Sequence, residues 1–489
     1  MILLRFSGDL SIKSRPVWAR MVDRLLANAS DALVSHGIEG RVRRTRNRVY
    51  VDAGPEAAPA LARVFGIQSV SPLERRCPET LDAIVAEGGA LFRERVAGRR
   101  FAVRARRVGA RRYGSLRSHD VECALGAALL PHAARVDLDD PEVVARVELC
   151  EGEAYLFGEH RAGPGGLPLG VEGRAVALVS GGFDSAVAAW HAMKRGVAVD
   201  HVFCNLGGAS HELGALRVSK ELADRWACGD RPRFHAIDFG PLLDELRGRT
   251  EQKYWQVLLK RQMVRAAEAV AFERRCAAIV TGEAIGQVSS QTLVNLGVID
   301  QAARLPILRP LVTFNKEEII ACAREIGTHD LSKVVGEYCA IVPRRPATHA
   351  QLETVLREEE AIDPSLLATA VVARRVLDLR GLAPDALGLP ELEAAGIPAG
   401  ATVMDLRPKA AFAAWHWPDA VRLDFAEALR VLPSLDRGRE YVLYCEFGLM
   451  SAHLAELMQK EGLRARHVRG GLRAVRSLAA RAGRRDSQL

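Results

Sequence analysis

Short apolar runs alternate with helical stretches through the middle of this chain, from residue 174 to about residue 340. The runs are five or six residues long, and they lie at 175–179, 199–204, 233–237 and 277–281. Buried parallel strands are apolar on both faces, and the helices between them cover the sheet. The pattern therefore predicts a parallel α/β sheet, whose ligands bind beyond the carboxyl ends of the strands.

The pattern differs on the N-terminal side of this sheet. Residues 1–55 combine short β-like runs with one amphipathic helix at 16–36, which predicts a small α+β unit. Residues 56–162 predict a second α+β unit, with helices at 79–96 and 121–130 and strands at 101–107, 143–149 and 153–158. A cluster of glycine and proline at 163–168 then breaks the pattern and predicts a linker before the third domain, 170–340.

The C-terminal third of the chain divides into two parts. Residues 341–395 are charged, punctuated by proline and partly helical, so we expect a linker there rather than a core. Residues 396–480 return to strand and helix patterns and predict another compact α/β domain. The fold class expected for the whole chain is multidomain α/β and α+β.

The hexapeptide Ser180-Gly181-Gly182-Phe183-Asp184-Ser185 lies between the first apolar run and a helical stretch. Its two glycines allow backbone N–H groups to face outward, and the next helix offers its positive N-terminus to an anion. The Gly-Lys-Ser/Thr ending of a P-loop and the spaced glycines of a dinucleotide motif are absent. A glycine pair alone also fits an ordinary turn, but the full hexapeptide indicates a pyrophosphate-binding loop.

Composition narrows the class of protein. The chain has 489 residues, 48% of them apolar, which is enough for three or four domains. No run of about eighteen uncharged apolar residues occurs, and the N-terminus meets Arg5 too early for a secretory signal, so we expect a cytoplasmic protein without membrane contact. Nine cysteines without a CxxC pair indicate neither a disulfide scaffold nor a metal site.

Arginine supplies most of the net charge of +8. Such a bias also arises from genome base composition, so local clustering is the better indicator of a nucleic-acid partner. Seven arginines fall within fourteen positions that contain no acidic residue, and strand alternation places several of them on one face. They are Arg99, Arg100, Arg104, Arg106, Arg107, Arg111 and Arg112. We interpret this arginine strand as an RNA phosphate-binding surface; a solvated sheet edge guarded by charges is the alternative.

Two cysteines stand out from the rest. Cys445 begins the loop Cys445-Glu446-Phe447-Gly448-Leu449-Met450-Ser451 between an apolar strand and a helix, where backbone N–H groups and the helix dipole would stabilise a thiolate or a persulfide. This CxxGxxS loop resembles the active loop of rhodanese domains, although Phe447 and Leu449 are bulky for it. A second thiol at Cys339 could resolve a persulfide through a disulfide.

The pyrophosphate loop resembles the PP-loop of ATP pyrophosphatases. Together with the arginine strand, the rhodanese-like end and the segments 203–209, 281–292 and 337–339, it makes the whole chain resemble the tRNA 4-uridine sulfurtransferases, or 4-thiouridine synthetases. The resemblance implies four domains: an N-terminal ferredoxin-like domain, a THUMP RNA-binding domain, the PP-loop domain and a rhodanese domain.

Residue roles follow from the same resemblance. Asp184 and Lys316 would act in catalysis with Cys445 and Cys339, the two cysteines forming a redox disulfide. The residues expected to bind ATP are Leu178, Val179, Ser180, Gly181, Gly182, Ser185, Lys260, Gly282 and Gln291.

The resemblance also implies the reaction and its participants. ATP, with Mg²⁺ as its counter-ion, would adenylate the C4 oxygen of uridine 8 in tRNA, and a persulfide on Cys445 would supply the sulfur. A cysteine desulfurase would load the persulfide, and an external dithiol reductant would reopen the disulfide. The same persulfide could serve a small carrier protein in the synthesis of the thiamine thiazole ring.

Two other functions remain open from the sequence. PP-loops also serve amidating ligases, but a ligase leaves Cys445 and the arginine strand without a role. A noncatalytic RNA-binding protein with decayed domains would require Asp184, Lys260 and Cys445 to be present by accident.

Overall fold

The computed structural model describes residues 1–44, 48–108, 116–333, 335 and 345–481. These residues belong to two units. One consists of residues 1–172 with two short additional segments, and the other contains the rest of the chain.

The N-terminal sheet of the first unit is antiparallel. Its central strand β1 (Ile2–Phe6) is flanked by β3 (Val49–Asp52) and β4 (Ile67–Pro72), and helix α2 (Arg15–Ser35) contributes Leu25, Ala29 and Ala32 to the core beneath it. The α+β character agrees with the sequence prediction, but the predicted boundary at residue 55 was too early, because residues 67–72 form a strand of this sheet, paired with β1. The elements of this α+β unit are β1 (Ile2–Phe6), α1 (Gly8–Ser11), α2 (Arg15–Ser35), β2 (Arg41–Arg44), β3 (Val49–Asp52), α3 (Ala58–Leu61) and β4 (Ile67–Pro72).

The second sheet of this unit is mixed. Its elements are β5 (Arg75–Pro78), α4 (Leu81–Val96), β6 (Arg100–Val108), α5 (Ser118–Leu129), β7 (Arg135–Val136), β8 (Val143–Cys150) and β9 (Glu153–Phe157). The strand order is β5-β9-β8-β6-β7, and strand β10 (Arg161–Ala162) returns to pair with β4. Strand β6, which carries the arginines, pairs with β8 along its length but with β7 only at Arg100 and Phe101. Among the described residues, no strand other than β7 pairs with that edge of β6.

A parallel α/β sheet begins the second unit, as the apolar runs predicted. Its elements are β11 (Arg174–Leu178), α6 (Phe183–Lys194), β12 (Ala198–Asn205), α7 (Ala209–Trp226), β13 (Arg233–Asp238), α8 (Gly240–Arg249), α9 (Trp255–Glu273), β14 (Ala278–Val280), α10 (Leu293–Asp300), β15 (Ile307–Leu308), α11 (Lys316–Ile326) and α12 (His329–Ser332). Strand β11 lies between β14 and β12, and all five strands run parallel. The loop after β11 therefore opens at the carboxyl edge of the sheet, where parallel sheets bind ligands.

The linker expected at 341–395 is structured over much of its length. Helices α13 (Leu352–Glu360) and α14 (Pro364–Val372) place Val355, Ile362 and Val371 in the core of the parallel sheet. Strand β16 (Arg375–Asp378) pairs antiparallel with β13 and closes one edge. Residues 352–378 therefore extend the sheet domain, because their few apolar side chains are spaced to cover it. High local charge concealed this pattern.

The last domain is a four-stranded parallel sheet in the order β18-β17-β19-β20. Its elements are β17 (Thr402–Asp405), α15 (Lys409–Ala414), β18 (Val421–Arg422), α16 (Phe425–Val431), β19 (Glu440–Tyr444), α17 (Leu449–Lys460), β20 (Arg464–His467) and α18 (Gly471–Arg481). A buried ion pair joins Arg407 to Asp405 at the end of β17, with 2.6 Å between Nη2 and Oδ2. Among the described residues, no helix combines the length and apolarity that a membrane crossing requires.

Candidate active site

The loop between β11 and α6 holds a compact backbone turn. Gly181 has a φ of +82°, and a Cβ there would lie 3.0 Å from the Cα of Ala215, so glycine suits this position on both counts. The Ser185 hydroxyl accepts from the Ser180 N–H at 3.3 Å and donates to the Gly182 carbonyl at 3.1 Å. These bonds fix the loop at the N-terminus of α6, where an anion is favoured.

Gly282 lies directly against this N-terminus. A Cβ at Gly282 would lie 2.5 Å from the carbonyl carbon of Asp184 and 2.7 Å from the nitrogen of Ser185. Both atoms belong to backbone, which has little freedom to move away. The absence of a side chain at Gly282 thus allows the segment after β14 to pack on the loop.

We expect Gly282→Ala to destabilise this site, because its new methyl group would overlap the backbone of Asp184. Overpacking of this kind costs about 1–3 kcal/mol. Thermal unfolding and ATP-binding titrations of the full chain would measure the effect. Gly297→Ala is the matched control, since a Cβ at Gly297 in helix α10 meets no atom within 4 Å. Equal behaviour of the two variants would contradict the prediction.

Asp184 is the meeting point of three segments. The Lys316 ammonium, at the first residue of α11, lies 2.8 Å from Oδ1 and 3.1 Å from Oδ2 of Asp184. The Gln287 amide donates to Asp184 Oδ2 at 2.9 Å. The structure thus brings the two sequence-predicted residues Asp184 and Lys316 into direct contact beside the loop.

Lys260 reaches the same region from helix α9. Its ammonium lies 2.7 Å from Oε1 of Glu283, the neighbour of Gly282, and Arg309 Nε lies 2.9 Å from Oε2. Burial by itself raises the pKa of Glu283, but the charges and hydrogen bonds of Lys260 and Arg309 lower it to about 2. Glu283 is therefore ionised at neutral pH and holds Lys260 beside Gly282.

The low pKa of Glu283 predicts a pH-dependent contribution to stability. A carboxyl with a pKa near 2 in the folded chain, against an ordinary 4.5, stabilises above pH 4.5 and loses this effect as the pH falls towards 2. The contribution is about 3 kcal/mol. We expect Glu283→Gln to lower the melting temperature at pH 7, and the difference from the natural chain to shrink between pH 4.5 and pH 2.

Glu251→Gln is the control for this prediction. Glu251 also pairs with a lysine, Lys253, at 2.6 Å, but both side chains are exposed. Its loss should change the melting temperature little at any pH. A Glu283→Gln difference that stays constant with pH would contradict the assignment.

Gln291 places a buried polar group next to this cluster. Its backbone carbonyl accepts from the Gly286 N–H at 3.0 Å, while its side-chain Oε1 is buried and has no hydrogen-bond partner among the residues that the structure describes. An unpaired buried acceptor is unfavourable unless a ligand supplies the donor. The site thus fits a molecule that has hydrogen-bond donors as well as phosphate. Leu178 and Val179 lie at the end of β11, where the loop begins.

Cys445 lies between β19 and α17, as the sequence predicted. Its Sγ accepts a hydrogen bond from the Gly448 N–H at 3.1 Å and lies 3.5 Å from Ser451 Oγ. Gly448 has a φ of +83°, and α17 begins at the next residue. The thiol is buried, with 3% of the residue exposed. A sulfur anion here would face a backbone N–H at a helix N-terminus, which stabilises it.

Some arginines of the arginine strand form ion pairs within their own domain, and others are exposed to solvent. Arg100 lies near three carboxylates, with Asp140 at 2.9 Å, and Arg107 pairs with Glu79. These ion pairs bind the two guanidinium groups to neighbouring elements. Arg99, Arg104 and Arg106 are exposed. Arg104 donates to the carbonyl of Leu138.

Three predicted site residues lie outside the described residues: Cys339, Arg111 and Arg112. Three others emerge only from the structure. Glu283, Gln287 and Arg309 surround the loop. Glu283 and Gln287 lie within the segment 281–292 that carried the family resemblance, which was their only sequence signal.

Family models match four consecutive parts of the chain. A ferredoxin-like domain model of the ThiI proteins matches residues 1–71, and a THUMP domain model matches residues 78–159. The model described as "Thiamine biosynthesis protein (ThiI)" matches residues 170–363, and a rhodanese-like domain model matches residues 391–478. The range matched by the rhodanese-like model contains Cys445.

Relatives cover nearly the whole chain. A tRNA sulfurtransferase of Pyrobaculum aerophilum is 38% identical over 96% of this chain and 96% of its own length. The chain belongs to the tRNA sulfurtransferase family. Another member, from Desulfurococcus amylolyticus, is 36% identical over 97% of this chain and 98% of its own length. Membership confirms that the chain is an enzyme of the transferase class, with the four domains that the motifs predicted.

One solved structure shares this fold over most of the chain. The crystal structure of a 4-thiouridine synthetase in complex with RNA and bound ATP has a TM-score of 0.66 and 28% identity. The match covers 77% of this chain and 98% of that one.

Proposed function

We propose that this chain converts uridine 8 of tRNA to 4-thiouridine, in two linked steps. ATP first activates the C4 oxygen as an adenylate at the PP-loop, and sulfur carried by Cys445 then displaces AMP. The observation that carries the proposal is the contact of Lys316 with Asp184 at the N-terminus of α6, because the ammonium lies beside the loop that we propose to bind phosphate. A similar solved structure is a 4-thiouridine synthetase with RNA and ATP bound, which supports the same activity here.

The activation step falls to the residues around the loop. The backbone of Ser180, Gly181, Gly182 and Ser185 would receive the phosphates, and Lys316 would compensate charge on the departing pyrophosphate. Lys260, held by Glu283, brings a second cation to the site. Gln291 offers its unpaired buried oxygen to a donor on the nucleotide.

Mg²⁺ would accompany ATP and neutralise part of the phosphate charge. The Asp184 carboxylate offers the oxygen ligands that this ion prefers. Within the described ranges, no group of three or more His, Cys, Asp or Glu side chains is placed to hold a metal ion. An ion bound chiefly by the nucleotide fits this arrangement.

The sulfur step begins with a persulfide on Cys445, loaded by a cysteine desulfurase. The outer sulfur attacks C4 and AMP leaves, or hydrosulfide is released and attacks instead. In either route the Cys339 thiolate attacks Cys445 Sγ and breaks its bond to the outer sulfur, and a disulfide between the two cysteines remains. The leaving group is 4-thiouridine in the first route and hydrosulfide in the second. An external dithiol then donates two electrons and restores both thiols. Cytoplasm, where thiols are kept reduced, suits this cycle.

tRNA is proposed to bind along the arginine strand. Arg99, Arg104 and Arg106 offer guanidinium groups to phosphates, and Arg111 and Arg112 extend the basic run in sequence. Arg100 and Arg107 stay in the proposed surface with a smaller part, because carboxylates of the same domain pair with them. Such a surface reads shape and phosphate rather than base sequence.

Mass spectrometry of tRNA nucleosides from cells with and without this chain tests the product. We expect 4-thiouridine only where the chain is present. Purified chain, supplied with tRNA, ATP, cysteine and a desulfurase, should form AMP and 4-thiouridine together. AMP formation that depends on ammonia, without sulfur incorporation, would instead indicate an amidating ligase.

A second use of the persulfide is favoured by the match to the model described as "Thiamine biosynthesis protein (ThiI)". We propose that Cys445 also passes sulfur to a small carrier protein for the thiazole ring of thiamine. Persulfide transfer from the full chain to a carrier protein, followed by mass spectrometry, would test this use. Transfer that requires tRNA would count against it.

A further inference from the structure

Helix α17 of the rhodanese domain contacts the first turn of helix α7 of the PP-loop domain. The Glu456 carboxylate accepts hydrogen bonds from the backbone N–H groups of Ala209 at 3.2 Å and Ser210 at 2.9 Å, and from the Ser210 hydroxyl. The first N–H groups of a helix have no acceptor within the helix itself. The residue before α7 is Gly208, which has no side chain to cap them. Glu456 thus caps α7 from another domain.

The residues around Glu456 leave room for its carboxylate and form further polar contacts beside it. A Cβ at Gly208 would lie 2.2 Å from Glu456 Oε1, so a side chain there would push the carboxylate away. His453, one turn earlier in α17, places Nδ1 at 3.2 Å from Ser210 Oγ. Burial lowers the pKa of His453 to about 4, so this ring is neutral at pH 7. The Lys460 ammonium lies 3.2 Å from Glu456.

Each of the two helices in this contact also adjoins one of the two loops proposed to carry the reaction. Helix α17 begins directly after Gly448, whose N–H binds Cys445 Sγ. On the other side, the Cα of Ala215 in α7 lies against Gly181 of the PP-loop, 3.0 Å from a Cβ placed there. The ring of His211 interacts with the backbone of Ser180. The contact therefore joins the two helices that support the sulfur-bearing loop and the PP-loop.

A second residue of α7, Arg217, also contacts a segment outside the parallel sheet. Arg217 follows Ser210 by seven residues, which is two helical turns and the same face. Its guanidinium donates to the carbonyl of Leu387 at 2.8 Å. One face of α7 thus contacts Glu456 of the rhodanese domain and Leu387 of the segment that precedes this domain.

We propose that Glu456 is a positioning residue for sulfur transfer: by capping α7 it fixes the Cys445 loop relative to the PP-loop. The inference rests on the proposed function. Glu456 touches neither reacting loop, so loading of Cys445 and activation by ATP proceed without it. Only the encounter of persulfide and adenylate depends on it, and errors of about 1 Å in such an encounter slow reactions on the order of 100-fold.

Glu456→Ala and Glu456→Gln in the full chain test the inference through three separate rates. Thiosulfate and cyanide report sulfur loading and release at Cys445, AMP formation with ATP and tRNA reports activation, and nucleoside mass spectrometry reports 4-thiouridine. We expect the first two rates to stay within about twofold and 4-thiouridine formation to fall about 10- to 100-fold for the alanine variant. The glutamine variant retains shape and one acceptor, so its loss should be smaller.

Glu461→Gln is the matched control, because this carboxylate is exposed just beyond the end of α17. It should retain all three rates. Ser210→Ala should lower 4-thiouridine formation. The double variant Ser210→Ala with Glu456→Gln should reduce 4-thiouridine formation by less than the product of the two separate reductions, because both substitutions act on one contact.

Two results would overturn the inference while the proposed function stands. One is normal or increased 4-thiouridine formation by Glu456→Ala. The other is an equal fall in all three rates for Glu456→Gln, which would indicate general destabilisation. Failure of the proposed function itself is distinguishable, because the natural chain would then make no 4-thiouridine, and that result removes both.

Discussion

Replacing Cys445 with alanine is expected to abolish sulfur transfer to tRNA while AMP formation from ATP continues. Cys445 is the thiol whose sulfur faces the Gly448 N–H at the start of α17. A nucleophile or sulfur carrier has no substitute within its own site, so its removal should cost on the order of 10³-fold or more in 4-thiouridine formation. Activation uses other side chains in another domain, and it should persist.

The measurement pairs two products in one reaction mixture. Labelled AMP reports activation, and nucleoside mass spectrometry reports sulfur transfer. Cys123→Ala is the control, because Cys123 is an exposed thiol in the described part of the THUMP domain, whereas Cys445 is buried. If accessibility alone decided reactivity, the Cys123 variant would be the weaker enzyme. Simultaneous loss of both products in Cys445→Ala would contradict the division between activation and sulfur transfer.

Lys316→Gln is expected to impair activation by ATP while persulfide formation on Cys445 continues. Its ammonium contacts both oxygens of Asp184 beside the loop proposed to hold pyrophosphate. Loss of one preorganised group that compensates developing charge lowers rates about 10²- to 10³-fold. AMP formation and 4-thiouridine formation should fall together, because the second step consumes the adenylate. Persulfide on Cys445 should still form, since this cysteine is in another domain.

Lys253→Gln serves as the control for Lys316→Gln. Lys253 also pairs with a carboxylate, that of Glu251, but on the protein surface, where such a pair contributes about 0–1 kcal/mol. Its activity should match that of the natural chain. Mass spectrometry of Cys445 after incubation with a desulfurase would establish that Lys316→Gln still carries sulfur. Unchanged AMP formation in Lys316→Gln would remove the lysine from the activation step.

Local features of the fold could be read from the sequence because they depend on neighbours along the chain. Short runs rich in apolar residues identified the parallel strands, and the glycines at 181 and 182 identified the loop between β11 and α6. The same holds for Cys445, which follows an apolar strand and precedes a helix. Backbone conformation and burial pattern are both set over a few residues, so these predictions needed no contacts between distant parts of the chain.

The segment 352–378 shows where this reading failed. Its charged residues suggested a linker, although a few apolar side chains cover the parallel sheet and β16 adds an antiparallel strand to it. A short strand at a sheet edge is half exposed, so its polar residues resemble those of a loop. Pairing with β13 is a long-range event that local composition does not record.

Sequence alone determined the domain order, the PP-loop and the cysteine-bearing loop, since each is a local pattern of residues. Tertiary structure alone decided which distant polar groups meet: Lys316 with Asp184 across 132 positions, and Glu456 with Ser210 across 246. It also revealed that Arg100 and Arg107 pair with carboxylates of their own domain. Charged side chains pair with whatever the folded chain brings within a few ångströms, and this follows from packing rather than from spacing along the sequence.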